Sequence, residues 1–316
     1  MKYILNKTPI KTTNKDAVNE FIIDTLFDDY KDTSKYNINT SYKESISSFE
    51  SKIGISFNKC KNIEIDITKD TDLECDILDT LIDTVTLNIK DKSKVNIIYK
   101  SSKKIDHHLK LVINGNNDSI INIINLTDIE SRNLIAIEAY VSSNITVNLI
   151  DLGGSLRVYN YYAEVIDGIN TFNNIYLTKN DELDLNYYIK LINPKCEGYI
   201  NSKGILNNTS KKNFKGTIDF VSGCKDAIGR EEEKVIMLSN DAKNKSLPIL
   251  LCGEEDVCGA HSSSVGGIDL EKLFYLESRG MDSIDAKKEI ILGEFNEILD
   301  YLPNKDYILN IIRERL

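Results

Sequence analysis

The segments KNIEIDITKD (61–70) and TVTLNIKD (84–91) indicate the fold class, because in each of them every second residue is apolar. In the first segment Ile63, Ile65 and Ile67 alternate with polar residues. A period of two places one row of side chains on one face of an extended chain, and β-branched residues favour strands. Each segment therefore predicts a half-buried β-strand.

Similar alternating segments follow one another from about residue 52 to 223, separated by turn-forming stretches such as NGNND (114–118) and DGIN (167–170). So many short strands fit a sandwich, a barrel or a solenoid. The length of the region and its many Asn residues, whose amides can form ladders between stacked coils, favour a β-solenoid slightly over a sandwich. No sequence repeat decides between them.

Helical periodicity replaces this pattern after residue 268. Asp269 is placed to cap a helix that stops at Gly280. A last helix follows Asp306, with Arg313 and Arg315 in its final turn, where cations suit the helix dipole. Between them, the stretch 282–302 predicts a longer helix with one apolar side: Ile284, Ile291, Phe295, Ile298 and Leu302.

A further short amphipathic helix is predicted near the N-terminus, over residues 15–30. Its apolar stripe comprises Val18, Phe21, Ile22 and Leu26. We therefore expect a mainly β protein in three parts. An N-terminal helical or irregular segment covers 1–50, a solenoid core covers 51–267, and a C-terminal helical subdomain covers 268–316.

Composition narrows the classes of function. The 316 residues carry a net charge of −10, and the Lys and Arg residues form no cluster. This argues against binding to nucleic acid or to an anionic membrane. We expect a cytoplasmic protein, because the sequence has no signal peptide and no membrane-spanning apolar segment. The six cysteines form no C-x-x-C motif, and we expect them to be reduced.

Common catalytic motifs are absent from the sequence. It contains no phosphate-binding G-x-x-x-x-G-K-[ST] and no H-E-x-x-H, so intrinsic nucleotide hydrolysis is not expected. The acidic, strand-rich region leaves open a β-solenoid hydrolase or lyase that acts on carbohydrate, although there is no Trp to bind sugars. His107 and His108 are adjacent in a predicted strand and should face opposite ways, which favours a solvated strand edge over a metal site.

The segment PILLCGEEDVCGAHSSSVGGI (248–268) holds the densest group of metal-binding residue types. Cys252, Cys258 and His261 offer thiolate and imidazole ligands, which suit zinc or an iron–sulfur cluster. Cys258 and His261 can chelate one ion only if the intervening Gly259–Ala260 forms a turn. The residues alone favour the plainer interpretation of two small buried cysteines and one hydrogen-bonding histidine.

The stretch EDVCGAHSSSVGGIDLEKLFYLESRG (255–280) and the helix that follows it resemble the C-terminal signature of the SufB/SufD family. KNFKGTIDF (212–220) and KVIMLSNDAKNKSLPIL (234–250) resemble strands of the same family. The resemblance is clear over about residues 205–302. It implies a right-handed parallel β-helix flanked by helices, and a non-enzymatic scaffold that helps to build iron–sulfur clusters.

The resemblance also implies partners. One is a second SufB/SufD-type scaffold, identical or paralogous. The other is a SufC-type ABC ATPase, which would dock on the C-terminal helices through Phe274, Tyr275, Arg279 and Gly280. The resemblance implies no intrinsic cofactor. It does imply a transient iron–sulfur cluster at a subunit interface.

Residue by residue, the resemblance makes His261 an iron or cluster ligand, with Cys258 and Cys252 as further candidates. Two departures from the family pattern stand out. Ser262 replaces a glutamate of SufB-like members, and Arg230–Glu233 replaces a lead-in rich in Gln and Asn. The subtype therefore stays open, although the order of the landmarks favours a SufD-like protein.

Overall fold

A computed structural model describes residues 2–10, 19–24 and 34–316 of the chain. Its main feature is a pair of nine-stranded sheets between which the chain alternates. The first sheet contains β3 (Lys35–Ile38), β6 (Thr71–Asp76), β8 (Ser93–Lys100), β10 (Ser119–Leu126), β12 (Ile145–Asp151), β14 (Ile169–Leu177), β16 (Glu197–Leu206), β18 (Ile228–Met237) and β20 (Cys258–Gly266).

The second sheet is made of the strands that lie between these in sequence. It contains β4 (Lys43–Ser51), β5 (Ile55–Ile67), β7 (Leu81–Ile89), β9 (Asp106–Gly115), β11 (Arg132–Ser142), β13 (Leu156–Asp167), β15 (Glu182–Leu191), β17 (Lys211–Phe220) and β19 (Lys243–Cys252). Apart from the antiparallel pairs β3–β6 and β4–β5, neighbouring strands in both sheets are parallel. The chain is therefore a β-solenoid, as predicted.

The space between the sheets is filled by the inward-facing residues of every strand. Ile63, Leu111, Val147 and Tyr187, from four different strands, are all completely buried. Because each coil stacks on the next in register, apolar residues of one coil lie over apolar residues of its neighbour. The alternation that predicted the strands is thus the pattern that builds the core.

An asparagine ladder links five coils along the first sheet, as the Asn content suggested. The side-chain amide of each Asn donates to the carbonyl oxygen of the Asn one coil earlier, at 2.8 Å in every step. The members are Asn96, Asn122, Asn148, Asn173 and Asn201. At the start of the ladder Asn96 donates to Asp72 Oδ1 at 2.7 Å.

Three helices follow the strands: α1 (Leu270–Ser278), α2 (Ser283–Leu299) and α3 (Lys305–Arg315). α2 and α3 cover the outer face of the first sheet, where Phe295 and Ile312 pack with Ile150 and Ile175. α1 has no buried residue.

The predicted ends of α1 are confirmed. The Asp269 carboxylate accepts hydrogen bonds from the backbone N–H groups of Glu271 and Lys272, at 3.0 and 3.1 Å. Gly280 has a φ of +93°, a left-handed conformation that a residue with a side chain adopts at a cost. The helix therefore has one strong cap at each end.

Three details of the helix predictions are wrong. Phe21–Ile23 form a strand, β2, that pairs with β1 (Tyr3–Leu5), so residues 19–24 do not continue a helix. Val18 and Leu26, from the same predicted helix, lie outside the described residues. Ile284 is 67% exposed and does not join the apolar side of α2. The cap of α3 is Asn304, not Asp306, which lies in the first turn.

Candidate functional site

The solenoid has an open end at its last coil, which is formed by β19 and β20. Within the described part of the chain, β19 pairs only with β17 and β20 pairs only with β18. Every residue of β20 is exposed. One side of this coil therefore covers the core formed by the preceding coils, and its other side is open.

The faces of β20 follow from its contacts. A side chain added at Gly259 would lie 3.1 Å from the buried ring of Phe220, so this position faces the interior. β20 pairs with β18 without interruption from Cys258 to Gly266, so His261 lies on the inner face with Gly259. Cys258 lies on the outer face. Burial and Glu197 raise the pKa of the nearby Tyr199 phenol, and Cys258 adds to this effect.

The structure therefore does not bring Cys258 and His261 to one side of the strand. The turn at Gly259–Ala260 that joint chelation requires is absent, because these residues continue a regular strand. Nor are the cysteines at 252 and 258 buried, as the plainer interpretation expected: both thiols are free and exposed.

Of the two candidate cysteines, Cys252 is the one that faces the space between the sheets, as His261 does. It aligns with Phe220 in the ladder between β17 and β19, and the Phe220 side chain fills the interior. Among the residues that the structure describes, no three His, Cys, Asp or Glu side chains converge on a point that could hold a metal ion. A four-ligand site at this end would need ligands from another chain.

A buried polar cluster lies one coil below His261. Glu231 and Glu233 align with His261 and Ser263 in the ladder between β18 and β20, and they face the interior. The Lys212 ammonium, fully buried on β17, donates to Glu233 Oε1. The Ser263 hydroxyl of the last coil donates to Glu233 Oε2 at 2.9 Å.

Glu231 has no such partner. Its side chain is 2% exposed, and neither carboxylate oxygen accepts a hydrogen bond from any residue that the structure describes. The carboxyl group lies over Gly216 of the opposite sheet, in space that any side chain there would occupy. Burial raises the pKa of Glu231 to about 7, and Lys212 opposes this only in part. Residues 230–233 depart from the family pattern, but the cluster was not predicted from the sequence. The available signal was Glu at two alternate positions, 231 and 233, within the predicted solenoid core.

The second candidate surface is α1. Phe274 is 72% exposed and Tyr275 is 56% exposed, so neither ring anchors α1 to the solenoid. The guanidinium of Arg279 lies 5.3 Å from the centre of the Tyr275 ring. A groove of about 590 Å³ runs between α1 and α2, and Tyr275, Leu276 and Ile290 contribute apolar surface to it. The predicted docking residues thus lie on one exposed helix and its C-terminal cap.

The prediction that His107 and His108 lie at a solvated strand edge is wrong. Both residues lie inside the protein. Both are buried, and His107 Nε2 lies 3.0 Å from Asp83 Oδ1. The ring of His108 packs against Phe57 at 4.8 Å. Burial lowers the pKa of His108 well below its ordinary value. The two rings face opposite sides, as predicted, and serve the packing of β9.

Fold and site together define a class: a two-sheet parallel β-solenoid with an open final coil and an exposed C-terminal helix. Residues 78–294 match the family model described as "SUF system FeS cluster assembly, SufBD core domain". Because this match covers more than half of the chain, the protein belongs to the SufB/SufD family of iron–sulfur cluster assembly proteins. The predicted family is therefore confirmed.

Individual relatives match over a shorter stretch. The iron–sulfur cluster assembly protein SufD of Bacillus subtilis is 36% identical over 107 residues, which are 34% of this chain and 24% of the relative. A SufBD family protein of Staphylococcus haemolyticus is 27% identical over 110 residues, which are 35% of this chain and 24% of the relative. The matches thus span about a quarter of the curated relatives. In the described residues, no helix has the length and apolar character needed to span a bilayer.

Proposed function

We propose that this protein is a non-enzymatic scaffold of iron–sulfur cluster assembly, which pairs with a second SufB/SufD-type scaffold through its last coil. The observation that carries the proposal is the open end of the solenoid. β19 and β20 expose unpaired backbone edges, which are templates for pairing with another chain. A second scaffold, identical or paralogous, would cover both edges and the exposed inner face at once.

Such pairing would also complete a set of ligands. His261 and Cys252 lie on the inner face at the open end, so two identical chains would supply four donors of the thiolate and imidazole type that binds iron. Cys258 lies on the outer face and would act at the rim of the interface. The iron or nascent cluster is a transient cargo in this proposal and not a resident cofactor.

The proposed partner on α1 is a SufC-type ABC ATPase. Phe274 and Tyr275 are large exposed aromatic residues on a helix with no fully buried residue, and the Arg279 guanidinium lies near the Tyr275 ring. Aromatic and Arg side chains are the residue types that dominate binding energy at interfaces. Since the sequence has no phosphate-binding loop, ATP hydrolysis would belong to the partner.

The family assignment does not favour the alternative of a carbohydrate-active enzyme. We place the scaffold in the cytoplasm, with the support of its six cysteines, all free in the structure.

Co-purification with the ATPase encoded beside this protein tests the docking proposal. We expect a stable complex that is lost in the double variant Phe274→Ala, Tyr275→Ala. Tyr307→Ala is the matched control, because Tyr307 is equally exposed (57%) but lies on α3. Absence of a complex when both wild-type proteins are folded would contradict the proposal, and so would equal losses in the two variants.

Anaerobic reconstitution tests the ligands. His261→Ala and Cys252→Ser should each reduce the iron and sulfide bound per scaffold pair, and Cys258→Ser should reduce it less because its thiol faces outward. Native mass measurement of the same samples separates a pair of identical copies from a pair of paralogues. Unchanged loading in His261→Ala would falsify the assignment of that ligand.

A further inference from the structure

The buried cluster beneath the open end contains two carboxyl groups but only one ammonium group. Lys212 and Glu233 form a contact pair that is neutral as a whole, wherever their shared proton resides. Glu231 adds a second carboxyl group with no cation of its own. An isolated carboxylate in an apolar interior is costly unless it is paired, protonated or bound to a metal. The cluster therefore has room for one more positive charge.

The position of Glu231 points to where that charge would enter. Glu231 and His261 are direct neighbours in the ladder between β18 and β20, on the same inner face, so their Cα atoms are about 4.8 Å apart. His261 is exposed at the open end, whereas Glu231 is buried just below it. Because the Glu231 carboxylate accepts no hydrogen bond, binding a cation would cost it none.

The other carboxylate of the cluster cannot serve in the same way. Glu233 already accepts hydrogen bonds on both oxygens, one from Lys212 and one from Ser263 of the last coil. These bonds join β17, β18 and β20. Glu233 therefore has a structural role, and Glu231 is the one with free ligand atoms.

We propose that Glu231 and His261 together form the inner half of a divalent-cation site, of the carboxylate–imidazole type that binds ferrous iron. The proposal deepens the proposed function, on which it rests for the identity of the ion. It adds a ligand from the penultimate coil, in a segment where this chain departs from its family. The remaining coordination positions face the open end, towards water or a paired chain.

Binding of ferrous iron alone to the purified protein, without sulfide and under anaerobic conditions, tests the proposal. Glu231→Gln keeps the shape of the side chain and removes its charge. We expect it to weaken ferrous iron binding at least tenfold in equilibrium dialysis. It should also abolish the rise in Tm that the metal causes in the wild type, because only ligands of the folded state raise Tm. His261→Ala should weaken binding to a similar extent.

Glu232→Gln is the matched control. It removes the same charge from the next residue, which lies on the outer face of β18, and it should leave binding within about twofold of the wild type. Circular dichroism verifies that each variant folds, and Glu231→Met replaces Glu231→Gln if the buried amide disturbs folding.

The proposal is overturned if Glu231→Gln binds iron as tightly as the wild type, or if the wild type binds none. Wild-type affinity in His261→Ala would equally exclude the joint site. These outcomes are separate from failure of the proposed function, because the ATPase complex is measured on the same preparations and does not depend on metal.

Discussion

Two coils of the solenoid have a similar architecture but different surroundings. The coil of β13 and β14 has parallel neighbours on both sides, and its inward-facing Tyr161 and Phe172 are completely buried. The coil of β19 and β20 has strands of similar length that also pair in parallel with the preceding coil, yet every residue of β20 is exposed. In a solenoid, burial comes from the neighbouring coils and not from the strand itself.

The difference explains where the candidate functional residues lie. His261 and Cys252 occupy positions that would be core in any earlier coil, and only the absence of a following coil exposes them. The helices repeat the contrast, because α2 buries seven residues and α1 buries none. Among the residues that the structure describes, both surfaces are regular secondary structure with one side packed and the other side open.

The largest expected effect comes from the core of the inner coil. Phe172→Ala removes a buried ring that stacks on Tyr161 at 3.9 Å and meets Tyr187 at 4.6 Å. We expect a loss of about 3–5 kcal/mol in the free energy of unfolding, measured by denaturant titration. Phe274→Ala, on the exposed face of α1, should cost less than about 0.5 kcal/mol. Similar losses in both variants would contradict the contrast.

The asparagine ladder should show the same difference between an inner and a terminal position, with smaller losses in the free energy of unfolding. Asn148 lies in the middle of the ladder, completely buried, and its amide both donates to Asn122 and accepts from Asn173. Asn148→Ala should cost about 1–3 kcal/mol, because it leaves buried partners without a hydrogen bond. Asn201→Ala, at the end of the ladder, breaks one bond and should cost about 0.5–1.5 kcal/mol. Equal unfolding midpoints for the two variants would show that the ladder does not act cooperatively.

The buried His108 predicts a dependence of stability on pH. Burial, with a smaller effect of His107, lowers the pKa of His108 in the folded state well below its ordinary value of 6.5. The unfolded chain therefore binds a proton more readily than the folded one. The contribution of His108 to stability is therefore full above pH 6.5 and falls by up to about 1.4 kcal/mol for each pH unit below it, down to the pKa of the folded state. The raised pKa of Glu231 acts in the opposite direction over this range, so the His108 contribution is measured with a variant.

His108→Phe removes the titrating group from this position while keeping a ring against Phe57. Denaturant titrations between pH 7 and pH 5 should therefore show that the variant gains stability relative to the wild type as the pH falls. Asn201→Ala removes no titrating group and is the control, so its slope should match that of the wild type. Parallel profiles for His108→Phe and the wild type would exclude His108 as the cause.

Local patterns predicted the solenoid and most of its C-terminal helices. Alternation located the strands, Asp269 and Gly280 fixed the ends of α1, and the Asn content anticipated the ladder. The N-terminal helix was wrong at Phe21–Ile23 because pairing with β1 outweighs a weak helical stripe. Handedness stays a prediction.

The candidate site was harder to predict, because it depends on which coil is the last. The sequence alone identified His261, Cys252 and Cys258 as candidates, but their faces depend on whether Gly259–Ala260 turns. Burial of His107 and His108 was missed for a related reason. A strand residue on the outer face is buried when another element covers it, and Phe57 does so for His108.

Val265 is the position with the smallest expected effect on stability and the clearest expected effect on assembly. It aligns with the buried Val235, yet it is 46% exposed because no coil follows it. Val265→Lys should change the free energy of unfolding by less than about 0.5 kcal/mol, as surface substitutions do. A charge on the proposed pairing face should nevertheless weaken scaffold pairing at least tenfold in sedimentation equilibrium, since charged edge residues oppose strand addition.

Ile166→Lys is the matched control for this prediction. Ile166 is exposed to a similar extent, 41%, but it lies near the end of β13 in the middle of the solenoid. The control should leave both stability and pairing unchanged. If Val265→Lys instead destabilises the isolated chain as a core substitution does, the last coil is buried by its own chain in solution, and the contrast between the two coils does not hold.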